Sequence, residues 1–371
     1  MPGVRIIFAG GGTGGHLFPA LAVADEIKKL EPAAEIVFVG TLDKLEAHVV
    51  PQQGYEFRSI WVSGFHRRRL FKNALFPVKL IISIMQARSI IKQFKPAVAV
   101  GTGGYVSGPV VYAATLSHIP TVILDQNAYP GITTRLLGNR VNEVHLTFEA
   151  AKKYLKRNDN VSITGNPTRS SLDNVNMAAA CSYFGFSAQE RKRTVLVFGG
   201  SLGARSINQA VLKNLVELVQ SGIRLIWQTG KDEYQAIRGE CARMAAAPIW
   251  VNPFIDRMDY AYAVSDLVVC RAGATTISEL TRIGKPAILV PYPHAAANHQ
   301  VHNALELAEA GAAKLLYDHE VADGLPGVLT SLINDEEQLR RMGEASKRFG
   351  KPDAGRVIAE RILMLAGKKV V

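Results

Sequence analysis

Cysteine is scarce in this sequence of 371 residues, which contains only three. Cys181, Cys241 and Cys270 are too few and too far apart to predict a disulfide framework or a zinc cluster. This sparse usage favours a reducing compartment. The first residues run into a strand-like segment without a charged region and a cleavable apolar stretch, so no secretory signal is predicted.

Long apolar runs and metal-binding motifs are lacking too. The longest stretch without a charged residue, 96–124, exceeds the roughly 20 residues of a spanning helix, but glycines and prolines interrupt it. We predict a buried strand, loop, helix and strand there. No Asp-x-Asp motif offers paired carboxylates to a divalent cation. His294, His299 and His302 lie in a loop-like segment that does not favour zinc, so neither a metal nor another cofactor is expected.

The overall composition is typical of a globular protein of about two domains. Hydrophobic residues make up 48% and charged residues 20%, and the formal net charge is +11. Residues 1–168 hold 19 basic and 11 acidic residues, so most of the positive excess lies in the first half. Such an excess favours a polyanion or an anionic membrane surface as a partner.

Short apolar runs alternate with helical patterns along the chain, which predicts an α/β protein with doubly wound parallel sheets. Segments 4–11 and 194–200 each combine a buried strand with a glycine-rich turn. We therefore predict two Rossmann-like domains, 1–166 and 167–371, facing a central cleft, with the last helix free to pack back on the first domain. The predicted strands are 4–9, 36–39, 97–100, 121–124, 194–198, 224–228, 267–269 and 287–290.

The first glycine-rich turn, Gly10 to His16, leaves three interpretations open. Its G-x-G-x-x-G spacing suits a packing turn, an anion or sugar site at a helix N-terminus, or a nicotinamide or flavin site. The acid that a dinucleotide site requires comes late, at Asp43, and the Lys of a P-loop is missing. His16 follows the last glycine, where the positive helix end favours a neutral imidazole that can act as a base.

Two further loops, 199–205 and 271–279, join a strand to a helix in the second half of the chain. Two helix N-termini can hold a diphosphate through backbone N–H groups without a metal. Glu279 would then accept hydrogen bonds from ribose hydroxyls. Taken alone, Glu279 is more simply interpreted as a surface carboxylate. Its place beside Arg271 and Gly273 favours a role in binding the ligand.

Segment 65–95 combines the basic run Arg67 to Arg69 with many apolar residues. It is too short and too charged to span a membrane, and it fits an amphipathic surface that docks on an anionic bilayer. An ordinary helix packed on the sheet, with a solvated basic edge, is the equally weighted alternative. Nucleic acid is not expected as a partner, because no aromatic stacking platform accompanies the basic run.

Six motifs follow one another along the chain. They are Gly10–His16, Gly101–Pro109, Asp125–Asn127, Gly165–Arg169, Gly199–Arg205 and Cys270–Glu279. In this order they resemble the bacterial MurG-type undecaprenyldiphospho-muramoylpentapeptide β-N-acetylglucosaminyltransferases, and the resemblance covers nearly the whole chain.

The resemblance implies a GT-B fold and inverting transfer of GlcNAc from UDP-GlcNAc, without an essential metal. The acceptor would be the muramoyl 4-hydroxyl of lipid I, a polyprenyl-diphosphate-linked muramoyl-pentapeptide. A peripheral protein at the cytoplasmic face of the bacterial membrane would thus make lipid II for peptidoglycan synthesis. The substrate-binding positions that the resemblance implies are Thr13, Gly14, Gly15, Asn127, Arg169, Ser201, Ile255, Arg271, Ala274, Thr275, Thr276, Ile277, Ser278, Glu279 and Gln300.

Within that set, Ile255 would meet uracil through its backbone and Gln300 would contact GlcNAc. The family usually reads His-Glu-Gln-Asn where this chain has Leu124 to Asn127, so the carboxylate of Asp125 is one methylene shorter. We expect His16 to be the catalytic base and Asp125 to be the second candidate. A nicotinamide-dependent oxidoreductase and a non-catalytic sugar-nucleotide-binding membrane protein remain as alternatives at this point.

Overall fold

The computed structural model describes residues 3–63, 75–168, 172–190, 192–200, 202–244 and 247–368. They belong to two compact units, residues 1–168 with 351–371, and residues 169–350. Each unit contains one parallel sheet covered by helices, so the predicted pair of Rossmann-like doubly wound sheets is confirmed. The division falls two residues beyond the predicted boundary at 166, and the last 21 residues belong to the first unit.

The first sheet has the strand order β3-β2-β1-β4-β5-β6-β7 and is parallel throughout. Its strands are β1 (Arg5–Gly10), β2 (Glu35–Gly40), β3 (Glu56–Ser59), β4 (Val98–Gly103), β5 (Thr121–Asp125), β6 (Glu143–Leu146) and β7 (Val161–Ile163). The connecting helices are α1 (Gly14–Leu30), α2 (Glu46–Gln52), α3 (Phe76–Phe94), α4 (Gly104–Leu116) and α5 (Ile132–Leu137), and a 3-10 helix spans Glu149–Tyr154. The strand order reverses direction between β1 and β4, and ligands of open parallel sheets bind beyond the carboxyl ends of strands at such a point.

The second sheet repeats this plan with the order β10-β9-β8-β11-β12-β13. Its strands are β8 (Thr194–Phe198), β9 (Arg224–Gln228), β10 (Ile249–Asn252), β11 (Leu267–Cys270), β12 (Ala287–Leu289) and β13 (Ala313–Leu315). The helices of this unit are α6 (Met177–Tyr183), α7 (Arg205–Lys213), α8 (Leu215–Gln220), α9 (Tyr234–Ala242), α10 (Met258–Val264), α11 (Ala274–Ile283), α12 (His299–Glu309), α13 (Val321–Asn334) and α14 (Glu336–Phe349), with a 3-10 helix at Ala296–Asn298. Here the switch point lies between β8 and β11.

The last helix, α15 (Ala354–Leu365), packs against the first sheet, where Ile358 and Ile362 join the core formed with α1. Arg361 forms an ion pair with Glu143 of β6, and His145 Nε2 lies 3.1 Å from a carboxylate oxygen of Glu143. Burial alone would raise the pKa of Glu143, but hydrogen bonds with His145 and Arg361 outweigh it and hold that pKa at about 2. This cluster fastens the end of the chain to the first unit.

Helix α3 covers the opposite face of the first sheet only with its second half. Ala87, Ile91 and Phe94 are buried there beside α4. The first half of the helix is different, because Ile81 and Met85 are 60% and 65% exposed. Among the described residues, no helix combines the length and the apolar character needed to cross a membrane. Residues 65–74 of the predicted docking segment lie outside the described residues.

Candidate active site

The first glycine-rich loop is packed against the point where β4 ends and α4 begins. A Cβ at Gly10 would collide with the Thr102 side chain, one at Gly103 with the His16 ring, and one at Gly104 with the Gly11 carbonyl. Gly103 and Gly104 also have φ angles of 110° and 77°, which other residues rarely adopt. These glycines therefore allow the first loop to meet the junction of β4 and α4 at the switch point of the first sheet.

His16 lies in the first turn of α1 and is half-buried. Its Nδ1 is 3.1 Å from Oε1 of Gln126, which follows β5 and is itself buried. An amide oxygen only accepts hydrogen bonds, so Nδ1 carries the proton in this pair. In the neutral imidazole Nε2 then keeps its lone pair, so this hydrogen bond orients the ring as a general base requires.

The carboxylate of Asp125, the second predicted base, accepts hydrogen bonds from the segment that follows it. One carboxylate oxygen accepts hydrogen bonds from the Gly131 N–H at 2.8 Å and the Thr134 hydroxyl at 2.5 Å. The other accepts the Asn127 N–H at 3.2 Å. Burial raises the pKa of Asp125, and these hydrogen bonds oppose that rise. With donors on both oxygens, the carboxylate orders the turn between β5 and α5, which includes the half-buried Asn127.

Glu46 is a buried acid at this loop that the sequence analysis did not identify. It begins α2 and is 1% exposed, and its carboxylate accepts hydrogen bonds from the Gly12 N–H at 2.9 Å and the Thr41 N–H at 3.1 Å. The sequence signal for Glu46 is an acid a few residues after β2. The dinucleotide interpretation assigns that acid to Asp43. The side chain of Asp43 is 73% exposed and pairs with Lys44.

Two loops interlock at the carboxyl ends of β8 and β9 in the second unit. A Cβ at Gly203 would collide with the Thr229 carbonyl, and one at Gly230 with the Leu202 carbonyl. Gln228, which is 2% exposed, joins this region to a third loop. Its Nε2 donates to the Gly200 carbonyl and its Oε1 accepts the Ile255 N–H, both at 2.8 Å.

Helix α11 follows β11 and carries the predicted positions Ala274 to Glu279 in its first two turns. Its N-terminal N–H groups and its dipole favour an anion. Thr275 Oγ1 is buried at this end and has no hydrogen-bond partner among the described residues. Glu279 is buried and accepts a hydrogen bond from the Tyr262 hydroxyl at 3.1 Å. The half-buried Thr276 and the buried Ile277 and Ser278 complete this stretch.

The remaining predicted residues occupy several different environments. Arg271 donates to Asp318 at 2.5 Å and to the Ser206 hydroxyl at 3.0 Å, so its charge is neutralised within the protein. Gln300 lies in the first turn of α12, and its Oε1 accepts the Tyr292 N–H at 2.9 Å. Arg169 and Ser201 lie outside the described residues.

Both units match domains of one glycosyltransferase family. Residues 6–146 match the N-terminal domain of glycosyltransferase family 28, and residues 194–358 match its C-terminal domain. The chain belongs to glycosyltransferase family 28. The MurG-type resemblance is confirmed as well, since curated proteins that are similar to this chain over nearly their whole length carry the name of that transferase.

Two such relatives are named UDP-N-acetylglucosamine–N-acetylmuramyl-(pentapeptide) pyrophosphoryl-undecaprenol N-acetylglucosamine transferase. The one from Chlorobaculum tepidum is 44% identical over 98% of this chain and 100% of its own length. The one from Christiangramia forsetii is 40% identical over 99% of both chains. The crystal structure of MurG from Acinetobacter baumannii shares 28% identity, with a TM-score of 0.78 over 97% of this chain and 99% of that one. A structure of S. aureus MnaA with UDP, at 17% identity and a TM-score of 0.67 over 99% and 98%, shares the fold alone.

Family 28 membership agrees with the chemistry of the first glycine loop. A nicotinamide site needs an acid near the end of β2 that is free to accept the hydroxyls of a ribose. Here Glu46 is buried and bound to Gly12 and Thr41 instead. The oxidoreductase alternative is therefore not supported, and the glycosyltransferase prediction is confirmed.

Proposed function

We propose that this family 28 protein transfers GlcNAc from UDP-GlcNAc, with inversion, to the muramoyl 4-hydroxyl of a polyprenyl-diphosphate-linked muramoyl-pentapeptide. The observation that carries the proposal is the 40–44% identity, over nearly the full length, to transferases of that name. The product would be the disaccharide-pentapeptide lipid from which peptidoglycan is made.

His16 is the base that removes the proton from the acceptor hydroxyl in this proposal. Its Nδ1 is held by Gln126 at 3.1 Å, which leaves Nε2 to receive the proton. Asp125 orders the neighbouring segment, because its carboxylate accepts hydrogen bonds from three donors that follow β5. Its buried position and occupied oxygens suit a positioning role better than proton transfer.

The second unit holds the donor and stabilises the departing UDP. The N-terminus of α11, with the buried Thr275 hydroxyl beside it, is suited to the negative charge that develops on the diphosphate. Glu279, whose carboxylate also accepts the Tyr262 hydroxyl, accepts the ribose hydroxyls, and the loop containing Ile255 receives the uracil. Thr13, Gly14 and Gly15 of the first unit contact the transferred sugar.

Product analysis with labelled UDP-GlcNAc tests this activity directly. We expect UDP release to require a polyprenyl-linked muramoyl-pentapeptide and the label to appear on that lipid. UDP release that is independent of the acceptor, or nicotinamide reduction on turnover, would contradict the proposal. Excess chelator in the same assay tests the proposed independence from metal, and activity that vanishes with chelator and returns with Mg²⁺ would refute that part.

We further propose that the protein docks on the anionic cytoplasmic face of the membrane through the first half of α3. Val78, Ile81 and Met85 are exposed there. Lys79 Nζ lies 5.1 Å from the ring of Trp61, which is itself 49% exposed. Exposed apolar side chains next to a cation suit an anionic bilayer interface, where each cation adds about 1 kcal/mol of attraction.

Co-sedimentation with vesicles of anionic phospholipid, at low and high salt, tests this docking. The double variant Ile81→Ser/Met85→Ser should bind less at high salt and keep its activity on a water-soluble acceptor analogue. Met177→Ser/Val216→Ser is the matched control, since those side chains are 51% and 56% exposed in the other unit. Equal binding by wild type and both double variants would rule out docking through α3.

A further inference from the structure

The carboxylate of Glu46 binds two segments, the first glycine-rich loop and the residue that follows β2. Oε2 accepts the Gly12 N–H at 2.9 Å, and Oε1 accepts both the N–H and the hydroxyl of Thr41, at 3.1 and 3.0 Å. The residue is 1% exposed. Burial of a carboxylate is costly unless donors satisfy both of its oxygens, and here they do.

Two glycines, one in the first motif and one at the end of β2, make room for this side chain. The atoms nearest to a Cβ at Gly11 would be the carboxylate atoms of Glu46, all within 2.7 Å. A Cβ at Gly40, the last residue of β2, would collide with Glu46 Cγ. Neither glycine has a positive φ, so close packing against Glu46, and not backbone conformation, is what excludes a side chain there.

The Glu46 bond also determines what the loop can offer to a ligand. Gly12, with a φ of 82°, is the residue at which the chain turns towards α1, and its N–H is already taken. Thr13 comes next as the residue before α1, and its carbonyl accepts the N–H groups of His16 and Leu17. The position of Gly12 therefore sets the start of α1 and with it the place of His16.

We propose that Glu46 is a positioning residue for the transfer reaction. It binds Gly12 and so fixes the first turn of α1, which presents His16 and the backbone of residues 13–15 to the substrates. The same bond keeps the Gly12 N–H from binding a ligand. This inference rests on the proposed function, because it assigns Glu46 to the step in which His16 acts. It assigns Glu46 no part in binding the nucleotide.

The variant Glu46→Gln tests this role with almost no change in volume. Gln offers one acceptor oxygen and one donor group, so its NH₂ must face either Gly12 N–H or the donors of Thr41. We expect kcat to fall about ten- to hundredfold, as small displacements of catalytic groups do. The dissociation constant of UDP should stay within about twofold, since one pair of mismatched donors in the first unit leaves the second unit unchanged. Glu35→Gln is the control, because Glu35 is exposed at the other end of β2.

A steric swap keeps the test valid if Glu46→Gln proves unstable. Gly11→Ala alone should lower kcat, because its Cβ would meet the Glu46 carboxylate. In a Glu46→Ala background, adding Gly11→Ala should cause no further loss, since the obstructing atoms are gone. Thr41→Val removes one hydroxyl donor and keeps the N–H, so a kcat loss smaller than that of Glu46→Gln is expected.

Three outcomes would overturn the inference. They are a kcat for Glu46→Gln equal to that of the Glu35→Gln control, losses for Gly11→Ala and Glu46→Ala that simply multiply, and UDP affinity that falls in parallel with kcat. Failure of the proposed function looks different, because wild type itself would then transfer no GlcNAc to the lipid acceptor.

Discussion

Gln228→Leu is the substitution whose effect the structure defines most closely. The wild-type amide is 2% exposed and makes two hydrogen bonds of 2.8 Å, one to the Gly200 carbonyl and one from the Ile255 N–H. Leu is similar in volume, so the variant leaves little cavity. It does leave the buried Ile255 N–H without its partner, whereas the half-buried Gly200 carbonyl still accepts the Gly203 N–H at 3.0 Å.

The magnitude follows from the Ile255 N–H. A buried group without a partner costs about 1–3 kcal/mol, so we expect the free energy of unfolding to fall by about 1–3 kcal/mol. For a unit of this size, about 2–4 °C of Tm per kcal/mol translates this into a Tm lower by about 2–12 °C. The variant also loses the link between the loop at Gly200 and the loop at Ile255. We therefore expect UDP to bind about tenfold more weakly, which is about 1.4 kcal/mol.

Differential scanning calorimetry measures the first effect, and titration calorimetry with UDP, far below the Tm, measures the second. Gln220→Leu is the control, because Gln220 ends α8 in the same unit and is exposed. An unchanged Tm would refute the hydrogen-bond argument. A lower Tm with unchanged UDP affinity would show that Gln228 stabilises the unit without shaping a nucleotide site.

Three further predictions concern single side chains. Glu279→Ala should weaken UDP-GlcNAc binding by about 1–3 kcal/mol in titration calorimetry, the range for a lost hydrogen bond to a charged group, whereas unchanged affinity in a folded variant would make Glu279 purely structural. His16→Ala should lower kcat about 10²–10⁴-fold in a transfer assay and leave UDP affinity unchanged, and full activity in this variant, combined with an inactive Asp125→Asn, would move the base to Asp125. Glu143→Gln should lower the Tm at pH 7, because a carboxyl with a folded-state pKa of about 2 stabilises the protein above its ordinary value of 4.5. That difference should shrink as the pH falls from 4.5 towards 2, and a pH-independent difference would contradict the role of the ionised Glu143.

The sequence was sufficient to predict the centre of each sheet but not its edges. Every predicted strand lies in the structure within three residues of its expected bounds, because strands buried on both faces are continuous apolar runs. The strands that were missed, such as β3 (EFRS) and β7 (VSI), are short and partly exposed. Edge strands need fewer apolar residues, so periodicity alone does not distinguish them from loops.

The site shows the same division between local and long-range information. The glycine loops and the start of α11 could be predicted, because each is a local strand–turn–helix signal. The partners of individual polar residues could not. The sequence predicts that Arg271 binds a diphosphate, but in the structure it binds Asp318, 47 residues further along the chain. Glu46 and Gln228 went unnoticed because their roles depend on which backbone groups neighbouring strands bring close to them.

The glycines of the first loop explain why a phosphate-binding pattern was ambiguous here. At Gly10, Gly11 and Gly14 the space where a Cβ would stand is already filled by side chains of Thr102, Glu46 and Phe18. These residues are glycines because the protein packs against itself. Gly12 and Gly15 differ, since a Cβ at Gly12 would meet nothing within 4 Å and one at Gly15 only the Thr13 hydroxyl at 3.7 Å. A ligand that uses this loop must therefore approach along the Gly12–Gly15 side, which is the side on which α1 begins and His16 follows.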